Sequence, residues 1–286
     1  MAKADCLKDI VARKKERIVA AKQALPEEEL KQRIAGLPAA RPFIEAVNKP
    51  RAISLIAEIK KQSPSQGVIL QDFDPAAIAG VYQEAGVQAI SVLTEEDFFA
   101  GSPAFINAVK ERASVPVLRK DFILEPYQIY ESRYYGADAV LLIADLLSKD
   151  ALTEVISCAD SLGMDCLVEV HNEKELKKVL GLKVPVVSGD GSAATAERGR
   201  AKKRTEVQFC IGINTRDLHT LECDPRTTER LYPMIPKDRV VVVESGLKTY
   251  QDILFLKVLG VNAVLVGGSI LSAADMKMFI QDLMGW

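Results

Sequence analysis

Eight short apolar runs, each followed by a stretch of helical character, constrain what this chain can fold into. They lie near residues 53–60, 88–94, 115–120, 138–143, 166–170, 208–214, 239–244 and 263–267. Several are apolar throughout rather than alternating, as in strands covered on both faces of a parallel sheet. Regular strand–helix alternation builds one parallel sheet, and eight strands are the number that closes into a (β/α)8 barrel. The 286 residues suit that architecture, which commonly takes about 250. An open doubly wound sheet would use the same local signals, but no GxGxxG follows the first run.

The punctuation between runs agrees. Ala85-Gly86-Val87-Gln88-Ala89-Ile90, Tyr135-Gly136-Ala137-Asp138-Ala139-Val140 and Leu259-Gly260-Val261-Asn262-Ala263-Val264 share one pattern, with a looser copy at Leu162-Gly163-Met164-Asp165-Cys166-Leu167. Each sets Gly where a helix ends in the left-handed region, then restarts with small and apolar strand residues. Asp74-Pro75, Ser102-Pro103, Glu125-Pro126 and Asp224-Pro225 mark helix starts. Before the first strand, Leu7 to Ile34 reads as helix divided at Pro26. The expectation is one barrel domain over 1–286, with a helical extension over 1–48.

One segment breaks the rhythm. Residues 187–207 are rich in Gly, Ser, Ala and basic side chains and join a helix to a strand. Such a connection belongs to the face at the strands' N-terminal ends, and its composition predicts a solvated, flexible excursion.

Composition excludes several classes. A net charge of -2 offers no basic excess for nucleic acid. The five cysteines have no CxxC or zinc spacing, so they read as reduced thiols, and two histidines far apart make no His-rich metal site. No apolar run approaches membrane-span length, and the N-terminus is charged rather than a signal peptide. The reduced thiols suit a cytoplasmic protein, and a small phosphorylated anion stays open as a ligand because a few local groups can bind it without changing the global charge.

Functional groups of a barrel sit at the C-terminal ends of its strands. Those ends carry Glu58 and Lys60, Thr94, Lys120, Leu141 and Leu142, Glu169, Asn214 with Arg216, Glu244-Ser245-Gly246, and Gly267-Gly268-Ser269. Residues two apart on a strand share a face, so Glu58 and Lys60 point the same way. Two lysines and up to three glutamates in one half-buried mouth would shift one another's pKa, which suits acid–base work. Lys120, followed by Phe122 and Ile123, is expected to have a lowered pKa through desolvation. Glu244 and Arg216 could instead form a structural ion pair. The glycine turns after the last two strands expose backbone N–H groups and suggest a phosphate cradle.

These segments together resemble the indole-3-glycerol-phosphate synthase family over nearly the whole chain. The resemblance rests on Ala57-Glu58-Ile59-Lys60 with Ser63-Pro64-Ser65, and on Ser91-Val92-Leu93-Thr94-Glu95. It continues through Leu118-Arg119-Lys120-Asp121-Phe122-Ile123, Val168-Glu169-Val170, Gly212-Ile213-Asn214-Thr215-Arg216 and Glu244-Ser245-Gly246-Leu247. The insertion and Gly268, where Ser is frequent, depart from it. The resemblance implies closure of 1-(2-carboxyphenylamino)-1-deoxyribulose 5-phosphate to an indole with loss of CO2 and water, without metal or organic cofactor. It implies catalytic roles for Glu58, Lys60, Lys120, Glu169, Asn214 and Ser245. Substrate contacts fall to Ser63, Phe99, Phe122, Leu142, Arg216 and Glu244, and phosphate contacts to Ser63, Ser245, Gly246, Gly267 and Gly268. Which Glu and which Lys acts in each step stays open. Another phosphate-binding barrel enzyme, such as a phosphoribosylanthranilate isomerase, would share the cradle but would be expected to use Cys and Asp at strand ends.

Overall fold

The computed structural model describes residues 6–186 and 206–286. Eight parallel strands close into a barrel: β1 (Ser54–Ile59), β2 (Ala89–Leu93), β3 (Val117–Lys120), β4 (Ala139–Ile143), β5 (Asp165–Val170), β6 (Cys210–Asn214), β7 (Val241–Glu244) and β8 (Ala263–Val266), with β8 pairing back to β1. Helices α4 (Pro75–Glu84), α5 (Phe105–Arg112), α6 (Tyr127–Tyr134), α7 (Lys149–Ser161), α8 (Glu173–Leu180), α9 (Arg226–Leu231) and α10 (Tyr250–Leu259) follow β1 to β7 in turn. After β8 come α11 (Gly268–Leu271) and α12 (Met276–Met284).

The four glycines of the repeated pattern all have positive φ: 79° at Gly86, 86° at Gly136, 71° at Gly163 and 101° at Gly260. There the helix must reverse toward the next strand through a conformation that L side chains resist. Asp74 caps α4 by accepting from the N–H groups of Ala76 and Ala77. The proline signals at 103, 126 and 225 lie within two residues of the helix starts they announce.

Strand alternation divides the apolar residues into two cores. Ile56, Ala89, Leu118, Leu141, Leu167, Cys210, Val242 and Leu265 face the barrel axis. Leu55, Ala57, Val92, Val140, Leu142, Val168, Ile211, Val243 and Val264 face the helices. The extension before β1 forms α1 (Cys6–Ala24), α2 (Glu27–Ile34) and α3 (Phe43–Val47), with the predicted break at Pro26. Helix α3 plugs the end where strands begin: Phe43, Ile44 and Val47 join the axial core, and the Ile44 N–H donates to Asp165 at 3.0 Å. Helix α1 crosses the opposite end.

The predicted insertion lies outside the described residues except for its last two. Its flanks do meet: Pro185 pairs with Glu206, and the Val207 N–H donates to the Val184 carbonyl at 2.8 Å. Because the chain ends are already adjacent, a short glycine-containing turn can replace 187–205. That variant is expected to keep kcat/KM within about threefold and stability within about 1–2 kcal/mol, by steady-state kinetics and urea unfolding. A large loss of turnover in a folded variant would instead tie the segment to the site.

Candidate active site

A cavity of about 620 Å³ opens at the C-terminal ends of the strands. Of the residues expected at the site, Glu58, Lys60, Ser63, Phe99, Lys120, Phe122, Glu169, Asn214, Arg216, Glu244, Ser245, Gly246, Gly267 and Gly268 line it. Leu142 does not. It is fully buried in the outer core, while Leu141 and Ile143 line the cavity. The strand Ala139–Ile143 is apolar at every position, so its polarity pattern carries no phase. Leu141→Ala is therefore expected to raise KM, whereas Leu142→Ala should leave KM alone and lower stability by about 2–4 kcal/mol, as read by kinetics and unfolding of the two variants.

The charged groups come from separate strands. Lys120 Nζ on β3 lies 2.9 Å from Glu244 Oε2 on β7 and 3.4 Å from Glu169 Oε2 on β5. Lys60 Nζ pairs with Glu58 Oε1 at 2.5 Å, as their shared face requires. Burial pulls the Lys120 ammonium down, but Glu244, Glu169 and Glu58 outweigh it and hold its pKa above the ordinary lysine value. This reverses the expected lowering, because desolvation is met by carboxylates the surrounding strands bring in. Burial, reinforced by Glu169, pushes Glu244 up to about 7 against the pull of Lys120. Burial also favours neutral Glu169 and Glu58, yet nearby cations override it. Lys120, His171 and an Asn214 hydrogen bond hold Glu169 below its usual range, and Lys60 and Lys120 do so for Glu58. Glu244 pairs with Lys120 rather than Arg216, whose guanidinium donates to the Leu221 carbonyl at 2.7 Å.

The glycines at this end serve these carboxylates. A Cβ on Gly267 would stand 2.5 Å from Glu58 Oε1 and 2.8 Å from Glu58 Cβ, and one on Gly212 would stand 2.6 Å from Glu244 Oε1. Gly246 has φ 77° and Ser245 φ 70°. In barrel order β7, β8 and β1 are neighbours, so Ser245, Gly246, Gly267, Gly268 and Ser63 form one continuous side of the cavity. Phe99 and Phe122, with ring centroids 6.1 Å apart, form an apolar side with Leu141 and Ile143.

Several supports were not legible as such. Asp121 accepts from the Thr94 hydroxyl at 2.6 Å and pairs with Arg119 at 2.9 Å and with Lys14 of α1 at 2.8 Å. Lys14 also reaches Glu96 at 2.9 Å, and Arg17 grips Asp97 through two bonds. These pairs seat α1 over the mouth, where Cys6, Leu7 and Ile10 line the cavity. Buried Glu95 accepts from the N–H groups of Phe98 and Phe99 at 2.7 and 3.1 Å, which shapes the loop carrying Phe99. The signal was present in the acidic run 95–97 and the basic run 13–17, but not their pairing across eighty residues.

The family model for indole-3-glycerol phosphate synthase matches residues 7–189 and 201–283. The chain belongs to this family. An indole-3-glycerol phosphate synthase of Acetivibrio thermocellus is 44% identical over 278 residues, covering 96% of this chain and 98% of that protein. One of Dehalococcoides mccartyi is 42% identical over 266 residues, covering 92% and 93%. Among solved structures, a 3-hexulose-6-phosphate synthase from Salmonella typhimurium superposes with a TM-score of 0.56 at 15% identity, covering 82% of this chain and 97% of that one. At that identity the likeness speaks for the barrel alone. The break in the indole-3-glycerol phosphate synthase match falls inside the Gly- and Arg-containing stretch that interrupts the strand rhythm.

Proposed function

We propose that this cavity carries out the indole-3-glycerol phosphate synthase reaction, with Lys120 as general acid of ring closure and Glu169 as the base that completes it. The observation that carries the reading is Lys120 held between Glu169 and Glu244, in a cavity with one aromatic side and one glycine-rich side. The substrate, 1-(2-carboxyphenylamino)-1-deoxyribulose 5-phosphate, has the matching halves. Its anthranilate ring fits between Phe99, Phe122, Leu141 and Ile143, and its phosphate fits against Ser63, Ser245, Gly246 and Gly268.

Lys60 faces the substrate carboxylate and Lys120 the ketone. The ring carbon bearing the carboxylate attacks the ketone carbon, and the ketone oxygen takes a proton from Lys120. The bond to the carboxylate then breaks, and its electron pair returns to the ring as CO2 leaves. The new hydroxyl departs as water with a proton from Lys60. Glu169 removes the proton from the carbon beside the nitrogen, which closes the indole. Glu244, held above the usual carboxylate range by burial, can resupply Lys120. Glu58 holds Lys60, Asn214 holds Glu169, and Arg216 braces the loop after β6.

We read the whole chain as one barrel domain and a cytoplasmic enzyme of tryptophan biosynthesis that binds no nucleic acid. No helix among the described residues is long and apolar enough to cross a membrane. Incubating the purified protein with the substrate and following indole fluorescence tests the activity. A folded, pure protein that produces no indole fluorescence would refute it.

A further inference from the structure

Strand β5 ends as β1 does, with a carboxylate and, two residues on, a cationic side chain. At β1 the pair is Glu58 and Lys60; at β5 it is Glu169 and His171, and spacing by two turns both onto one side. His171 Nδ1 hydrogen-bonds Glu175 Oε2 at 3.1 Å, and Nε2 lies 3.1 Å from Glu169 Oε1, at ion-pair distance but outside hydrogen-bond alignment. The imidazole is about 10% exposed, so neither contact is a surface accident. Glu175 is itself fixed. It accepts the His171 backbone N–H at 2.8 Å, its own N–H donates to Asn172 Oδ1 at 3.0 Å, and the Asn172 amide donates back to its carboxylate. The first turn of α8 thus clamps the ring from behind. Glu169 Oε2 is left for Lys120, and Oε1 is turned toward the imidazole.

We infer that His171 is a positioning residue for Glu169: as an imidazolium clamped between two carboxylates, it orients Glu169 and keeps it deprotonated beside Glu244. Without that cation, two buried carboxylates would share Lys120, and like charges so placed drive one of them to hold a proton. Glu169 would then spend part of its time as an acid, unable to act as a base. Burial disfavours the charged ring, yet Glu169 and Glu175 raise its pKa to about 10, so it stays cationic across the neutral range. Among the described residues, Glu169 and Glu175 are the charged groups that face it. On neighbouring segments, Arg230 pairs with Asp224 and Glu173, and Asp145 with His219. Beyond Glu169 stand Lys120, Asn214 and Glu244.

This rests on Glu169 being the base, and the experiment separates the two ideas. kcat/KM is measured against pH for the full chain and for His171→Gln, His171→Arg, Glu175→Gln and Glu169→Gln, with circular dichroism to confirm folding. His171→Gln should move the acidic limb of the profile upward by at least about one pH unit, because the base is easier to protonate. KM at the new optimum should stay within about threefold, since the ring does not face the phosphate or anthranilate sides. Glu175→Gln should move the limb in the same direction by less, and serves if His171→Gln does not fold. His171→Arg keeps the charge and should hold the limb near its original position. A limb that stays put in both His171→Gln and Glu175→Gln, with Glu169→Gln inactive, overturns the inference. Glu169→Gln with near-normal turnover would instead remove Glu169 as base, and the inference with it.

Discussion

Lys120→Met is expected to lower kcat by at least about a hundredfold while the protein still folds. In the native site the half-buried ammonium lies between the buried carboxylates of Glu244 and Glu169. Deleting it leaves two carboxylates facing one another, which they can accommodate by keeping one more proton between them, so the cost falls on chemistry before fold. Its raised pKa does not disqualify it as the acid. Ring closure turns a weakly basic ketone oxygen into an alkoxide far more basic than a lysine amine, and the proton transfers as that charge develops. The carboxylates ensure that the proton is there to give. Lys120→Arg separates donation from charge: a guanidinium can keep the pairing with Glu244 but does not release a proton at working pH. Both variants should therefore be slow, with kcat from indole fluorescence and folding from thermal melts. Near wild-type turnover in Lys120→Met would remove the residue from its role.

Gly267→Val should abolish most turnover for a reason different from the one the glycine turn first suggested. The turn suggested a phosphate cradle, which a bulky side chain would obstruct. The position is instead filled by Glu58, whose Oε1 and Cβ would lie 2.5 and 2.8 Å from a new Cβ. Moving Glu58 breaks its 2.5 Å pairing with Lys60, so the cation that faces the substrate carboxylate loses its anchor. Gly267→Ala already introduces the clash and should lower kcat by about tenfold to a hundredfold. Inorganic phosphate, which needs only the glycine-rich side, should still bind to the Ala variant in calorimetry. Gly268→Ser is the contrast. Its Cβ would meet the end of the flexible Gln66 side chain at 3.0 Å, and the backbone donor remains, so activity should hold within about threefold. Equal losses at both positions would point to the phosphate side rather than to Glu58.

Much of this architecture was legible in the one-dimensional pattern because it is governed by local chemistry. Short continuous apolar runs, glycines that tolerate positive φ at 86, 136, 163 and 260, and a proline that stops a helix at 26 each act within a few residues. A parallel barrel converts such local signals into global placement, since every strand points the same way and every strand-end group reaches one mouth. That is why Glu58, Lys60, Lys120, Glu169, Asn214 and Glu244 could be placed at the mouth from their strand-end positions, while their roles came from the family resemblance.

Tertiary structure decided what depends on neighbours distant in sequence. Ala139–Ile143 is apolar throughout, so only the closed barrel sets Leu141 and Ile143 toward the cavity and Leu142 toward the helices. The direction of the Lys120 shift came from carboxylates on three other strands, which no window around residue 120 contains. The need for glycine at 267 came from Glu58 on the adjacent first strand, where the barrel closes. Helix α1 took its place through Lys14 on Asp121 and Arg17 on Asp97, links of long sequence separation. The sequence by itself determined which groups the barrel collects at its mouth. Their contacts, charge states and steric limits were decided only when the strands met, because those properties are sums over neighbours in space.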